Sequence, residues 1–243
     1  MKFAEFFFTP RPSIRAVVKV AFSAATAVVI APALRAQDAA VAASTGATLD
    51  LIDDVAVRLA LRTIISDAAA NGLPTGPLVT KVREGVAKHA EPERIRSATS
   101  LLAQRLAVAA NALAPTRSSD ELAAGADALQ VGVPSGTLRS MRRDWPTKLL
   151  TIPLGVLAEL VASGVPHANA SRRVHDLLAK GASSGQLASL GTSVRADIAA
   201  GLAPDAAMEL RSKGVLSLLY QQAQLGVAAP QSPPLRPHER PRK

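Results

Sequence analysis

Helix-stop signals recur along this chain and divide it into short segments. Gly-Leu-Pro occupies residues 72–74, and Gly-Val-Pro occupies residues 132–134 and 164–166. Glycine adopts the left-handed conformation that ends many helices, and proline cannot continue a helix. Between the stops, apolar residues recur at helical spacing, and residues 37–229 show no sustained alternation of period two. The pattern predicts an all-α fold whose short helices must pack on one another to be stable.

The helical segments repeat at an offset of 92 residues. Residues 65–106 aligned with residues 157–198 place Gly72 opposite Gly164, and the other matches keep charge sign or apolar character. These matches include Asp67 with Glu159, Pro74 with Pro166, Lys81 with Arg173, Glu84 with Asp176, Lys88 with Lys180, and Ile95 with Leu187. We therefore expect a duplicated four-helix unit, giving about eight helices in an antiparallel helical bundle or a short α-solenoid.

The first predicted helix begins beside an acidic stretch. Thr48 is the expected N-cap, because its hydroxyl can accept from the free backbone N–H groups of the first turn. The expected buried stripe consists of Leu49, Ile52, Val55, Leu59 and Ile65. The helices of the first unit are predicted over about 49–71, 75–88, 92–113 and 118–130, and those of the second over about 146–163, 167–180, 184–200 and 204–224.

The first 36 residues have the order of a secretory signal peptide. Five cationic residues accompany an apolar run from Val20 to Leu34, and a small residue, Ala36, stands at the expected cleavage point. The apolar run is shorter than the roughly 20 residues that a membrane span needs. We expect export to the periplasm or the exterior of a bacterial cell, with an uncleaved single-span anchor as the alternative.

The net charge of +9 is concentrated at the two ends of the chain. Residues 1–36 carry +4 and residues 230–243 carry +3, which leaves only +2 for residues 37–229. A nearly neutral helical region gives no basis for expecting a nucleic-acid partner. The proline-rich C-terminal segment could solubilise the chain or contact an anionic surface.

The predicted domain organisation follows from these features. The sequence predicts a signal peptide at 1–36, a flexible leader at 37–47, a first helical unit at 48–134, a connector at 135–146, a second helical unit at 147–227 and a disordered Pro/Arg-rich tail at 228–243.

Composition removes several kinds of chemistry. The chain has no cysteine, four histidines and, beyond residue 22, only Trp145 and Tyr220 as aromatic residues. Disulfides, thiolate metal sites and thiol nucleophiles are therefore excluded. His167 and His175 stand eight residues apart, too far for a zinc-binding pair on one helix turn. We assign no catalytic residue, metal ligand or cofactor.

Two charged pairs at equivalent positions are candidates for binding a partner. Glu84 with Lys88, and Asp176 with Lys180, stand at the i,i+4 spacing of helix ion pairs, and Arg94 could join the first. Such pairs usually lie on the solvent-exposed surface and contribute little to stability. The alternative is that both line a concave face that contacts another protein.

The densest basic cluster lies at the predicted junction of the two units. Arg139, Arg142 and Arg143 precede Trp145. Arginine stacked on tryptophan would form an anchor for an anionic ligand or partner. The favoured alternative is that Trp145 is buried as the largest side chain of an inter-unit seam.

These features favour an exported, non-enzymatic helical-repeat protein that binds another protein of the cell envelope. One alternative is a peripheral membrane-associated protein held to anionic lipid by its basic tail. Another is a hydrolase whose acids, such as Glu84, Glu159 and Asp176, meet only in the folded chain.

The signal peptide can be tested directly. We expect protein purified from its own cells to begin at Gln37, because cleavage is predicted after Ala36. Intact mass and N-terminal sequencing would check this, and a mature chain that retains Val20 to Leu34 would support the anchor instead.

Overall fold

A computed structural model describes residues 46–224 and 226, and every regular element among them is an α-helix. The all-α prediction is confirmed. The predicted signal peptide, the tail and residues 37–45 of the leader lie outside the described residues. After a helical turn at 46–49, the helices are α1 (Val55–Ala70), α2 (Gly76–Ala87), α3 (Pro92–Ala112), α4 (Ser119–Gln130), α5 (Ser135–Asp144), α6 (Thr151–Ala162), α7 (His167–Ala179), α8 (Ser184–Ala199) and α9 (Pro204–Gln224).

The first long helix begins six residues later than predicted. Asp54, not Thr48, is its N-cap, since the Asp54 carboxylate accepts from the backbone N–H groups of Ala56 and Val57 at 2.9 and 3.0 Å. Of the predicted buried stripe, Leu49, Ile52 and Ile65 are buried. The buried face of α1 consists of Val57, Leu61, Ile65 and Ala68. Val55 and Leu59, expected in the core, are 58% and 56% exposed.

The predicted helix stops lie where the helices end. Gly72 and Gly164 have φ values of +69° and +95°, the left-handed conformation that glycine adopts without steric cost. The N–H of Leu73 returns to the carbonyl of Ala68, and the N–H of Val165 returns to that of Leu160. These bonds satisfy carbonyls that the helices leave free at their ends.

The predicted connector contains the helix α5, which raises the number of regular helices in the described part to nine. The chain beyond it stays non-helical until α6 begins, five residues after the predicted start. Arg142 explains this stretch, because its Nη1 donates to the backbone carbonyls of Trp145, Pro146 and Lys148 at 3.1, 3.0 and 3.2 Å. The donor to these carbonyls is therefore a side chain, in place of the backbone N–H groups of a continuing helix.

The helices pack as a chain of neighbours around one continuous apolar core. Helix α3 contacts α1, α2, α4 and α5, α4 contacts α6, α6 contacts α7 and α8, and α9 contacts α7 and α8. Small residues allow the central helices to approach closely. At Gly125 of α4, an added Cβ would lie 2.9 Å from Leu113 Cδ1 and 3.1 Å from the Cβ of Ala109.

A buried ion pair joins α4 to α5 inside this core. The Glu121 side chain is 1% exposed and pairs with Nη2 of Arg142, whose side chain is 9% exposed. The same carboxylate accepts from the Thr116 hydroxyl and from the backbone N–H of Leu150, the latter at 2.8 Å. Glu121 therefore holds together the segment before α4, the helix α5 and the start of α6.

Within residues 46–224 and 226, the helices lack the length and continuous apolar character required to cross a membrane.

Removing either member of the buried pair is expected to destabilise the protein strongly. Glu121→Ala should lower the free energy of unfolding by about 3–5 kcal/mol, because Arg142 is left buried and uncompensated. Glu121→Leu combined with Arg142→Met should cost less than either single change, since no buried charge remains. Urea denaturation of the wild type, Glu121→Leu, Arg142→Met and the double variant measures the coupling energy between the two side chains.

Glu93→Ala is the matched control, since it breaks the exposed pair of Glu93 with Arg96 and should leave the unfolding free energy nearly unchanged. A loss at Glu121 no larger than that of this control would contradict the assigned role of the buried pair.

Candidate interaction site

The end of α5 meets the side of α7 in a cluster of polar and aromatic side chains. His175 Nε2 lies 2.9 Å from Oδ2 of Asp144, and Arg143 Nε donates to Oδ1 of Asp144 at 3.1 Å. The Trp145 ring meets the His175 ring edge-on, with centroids 4.6 Å apart and planes at 63°. Two adjacent residues of the predicted junction, Asp144 and Trp145, thus both contact one histidine of α7. We call this cluster the α5–α7 junction.

Beside the junction lies an open recess of about 330 Å³ between α5 and α7. Its lining residues are Thr137, Ser140 and Met141 from α5, and Ser171, Arg172, His175 and Asp176 from α7. The hydroxyl oxygen of Ser171 is buried and has no hydrogen-bond partner there. Buried polar atoms are usually satisfied, so this unpaired oxygen is an exception among the residues that line the recess.

Asp144 is held in its ionised form by its neighbours. The hydrogen bond to His175, followed by the one from Arg143, lowers the pKa of the Asp144 carboxyl below its ordinary value of 3.8. At neutral pH the junction therefore contains a fixed carboxylate that orients the His175 ring.

The predicted arginine cluster divides between the core and the surface. Arg142 turns inward to Glu121, whereas Arg143 turns to Asp144. Arg139 is exposed on α5 and Arg172 is exposed on α7, and neither forms an ion pair with another described residue. Of these four arginines, Arg139 and Arg172 are the ones whose exposed guanidinium groups have no ion pair with a described residue.

The expected stack of arginine on tryptophan does not form, because His175 occupies the contact with the Trp145 ring. Trp145 is half-buried and packs against the apolar core. The alternative expected a buried Trp145 at an inter-unit seam, and the ring is only partly buried. Sequence reasoning missed Asp144 and His175 as partners, since 31 residues separate them and no local pattern links the two.

The first predicted charged pair forms on α2. Lys88 Nζ lies 2.5 Å from Oε1 of Glu84, and Lys81 Nζ lies 2.8 Å from Oε2. The hydrogen bond from Lys81, followed by that from Lys88, lowers the pKa of the Glu84 carboxyl from 4.5 to about 2. Arg94 does not join the pair. It is exposed at the start of α3, and no ion pair with a described residue involves it.

The second predicted pair does not form. Lys180 donates to the hydroxyl of Tyr220 at 3.1 Å, and its ammonium lies 5.3 Å from the centre of that ring. Helix α9 thus competes with Asp176 for this lysine, and Asp176 lines the recess instead. Two equivalent pairs on one concave face are therefore not what the described residues present.

The acids of the proposed hydrolase alternative are separated. Glu84 is engaged by its two lysines, Glu159 pairs with Arg195 at 3.2 Å, and Asp176 lies in the recess. Within the described part of the chain, no group of three or more His, Asp or Glu residues is placed to hold a metal ion.

Comparisons with protein families, curated proteins and solved structures give no match to this chain.

The low pKa of Glu84 gives a pH-dependent test of the α2 pair. We expect the side-chain carboxyl to titrate near 2, since two ammonium groups stabilise its charged form. The contribution of these bonds to stability should be full above the ordinary pKa and lost as the pH falls toward 2. Carboxyl-carbon NMR measures the midpoint.

Replacing Lys81 or Lys88 by alanine should raise that midpoint, and replacing both should return it close to 4.5. A wild-type midpoint already near 4.5 would show that the two lysines do not hold Glu84 in solution.

Proposed function

We propose that this chain is an exported, non-enzymatic helical-repeat protein of the bacterial cell envelope, and that it binds a protein partner at the α5–α7 junction. The observation that carries the proposal is Arg172, which is exposed, lacks an ion partner in the described region and lines a polar recess; Arg139 of α5 is likewise exposed and without an ion partner there.

The chemistry of this surface fits a partner that presents carboxylates. A guanidinium group offers a planar fork of donors that matches a carboxylate in a bidentate arrangement. The junction is held from within by Arg142 and from the side by the contact of Asp144 with His175. A fixed surface loses little conformational freedom on binding, which favours affinity.

The proposal includes the duplicated helical unit inferred from the sequence. Moving α2 by 92 residues places it over 168–179, and α7 covers His167–Ala179. Position 89 supports the equivalence in a second way: His89 has a φ of +50°, and its counterpart Gly181 has +84°. The packing of α1 on α3 likewise corresponds to that of α6 on α8. These likenesses favour a bundle built from two related halves.

Binding can be tested with charge-matched variants. Mature protein and a variant carrying Arg139→Ala and Arg172→Ala would be used to capture partners from the envelope fraction of the source cells. We expect the variant to lose the specific partner by about tenfold or more, because central charged contacts dominate such interfaces.

The control variant carries Arg83→Ala and Arg117→Ala, two exposed arginines away from the junction with no ion pair to another described residue. It removes the same charge and should capture the partner normally. Equal loss of the partner in both variants would show that capture depends on net charge and not on the junction. Capture unchanged in both, or lost only on removing residues 230–243, would contradict binding at the junction.

A further inference from the structure

The outer face of α9 carries an apolar row that the described helices leave uncovered. Leu210 is 57% exposed and Leu218 is 53% exposed, with Gly214 midway between them. The spacing of four residues puts all three on one face of the helix. They border an open groove of about 450 Å³ between α8 and α9, whose other apolar lining includes Leu190 and Val215. Exposed apolar surface of this kind typically marks an interaction site.

The row reads the same in both directions about its centre. Leucine, glycine and leucine stand at 210, 214 and 218, so a helix laid antiparallel across Gly214 presents leucines at matching positions. A two-fold interface requires this self-complementarity. We propose that a second copy of this chain docks on the groove through its own α9. The two-fold axis passes near Gly214, and Leu210 packs against Leu218 of the partner subunit.

The charges of α9 suit the antiparallel arrangement. All four charged residues lie in its first half, at Asp205, Glu209, Arg211 and Lys213, whereas residues 214–224 have none. An antiparallel pair therefore sets each charged half against an uncharged half, so that like charges do not oppose each other. Three of these four charges are already paired, since Arg211 pairs with Asp197 at 2.5 Å and Lys213 pairs with Glu209 at 2.7 Å.

Gly214 is not needed for packing within one chain. A Cβ added there would meet nothing within 4 Å, although glycine in the middle of a helix lowers its stability relative to alanine. At the crossing point of two α9 helices, however, the missing side chain lets the backbones approach. The proposed contact gives this glycine a role that the single chain does not.

Sedimentation of the purified protein over a range of concentrations tests the proposal. We expect a dimer for the wild type, and Leu210→Lys or Leu218→Lys should raise its dissociation constant by at least about tenfold, because a charge would be buried in an apolar contact. Leu149→Lys is the control, since Leu149 is 72% exposed outside this groove, and it should leave the dimer intact.

Two substitutions at Gly214 separate association from folding. Gly214→Leu should keep or raise the melting temperature measured on the monomer while abolishing the dimer. Gly214→Cys should form a disulfide-linked dimer on oxidation, because the residue meets its own copy at the axis and the chain has no other cysteine. Ser66→Cys, exposed on α1, should not cross-link under the same conditions.

A monomer at every concentration would overturn the proposal and leave the groove for a different polypeptide. A dimer that is insensitive to Leu210→Lys, Leu218→Lys and Gly214→Leu would also overturn it, by placing the interface elsewhere.

Discussion

The ion pair between Glu121 and Arg142 fixes the part of the molecule in which the candidate site lies. Burying two charges is costly, and hydrogen bonds to their remaining groups offset part of that cost. Here the Thr116 hydroxyl and the Leu150 N–H bind the carboxylate, and three backbone carbonyls bind Nη1 of the guanidinium, whereas its buried Nε has no hydrogen-bond partner. The result is a rigid corner between α4, α5 and α6. Asp144 and Trp145 follow that corner and contact His175 of α7. The geometry of the α5–α7 junction therefore depends on an ion pair that is buried in the core.

A small residue of α2 has a large counterpart in α7 at the proposed offset of 92 residues. A Cβ at Gly85 of α2 would come within 2.7 Å of Ile95 Cγ1, which shows how closely α2 rests on α3. The residue equivalent to Gly85 at the offset of 92 is Leu177 of α7, whose side chain is buried. Helix α7 makes its main contacts with α6 and α9 instead. Helix α7 is also the helix that meets α5 at the candidate site.

Local signals were sufficient for most of the helices. The stops at Gly72 and Gly164 and the pair of Glu84 with Lys88 depend on residues within one or two turns, and the sequence predicted them. The predicted start of α1 was wrong because Asp54, not Thr48, caps the helix, and Val55 and Leu59 lie outside its buried face. Asp144 with His175, Lys180 with Tyr220, and Glu121 with Arg142 lie 31, 40 and 21 residues apart. Packing brings these together, and spacing along the chain does not encode them.

The isolation of Trp145 as the sole tryptophan has a practical consequence. Indole emission from this protein originates at one place, where the ring contacts His175 and packs against the apolar core. Trp145 is therefore an intrinsic fluorescent probe located at the α5–α7 junction. Docking at the junction, loosening of the corner beneath it and ordinary unfolding would each change the surroundings of the same chromophore, without any label attached.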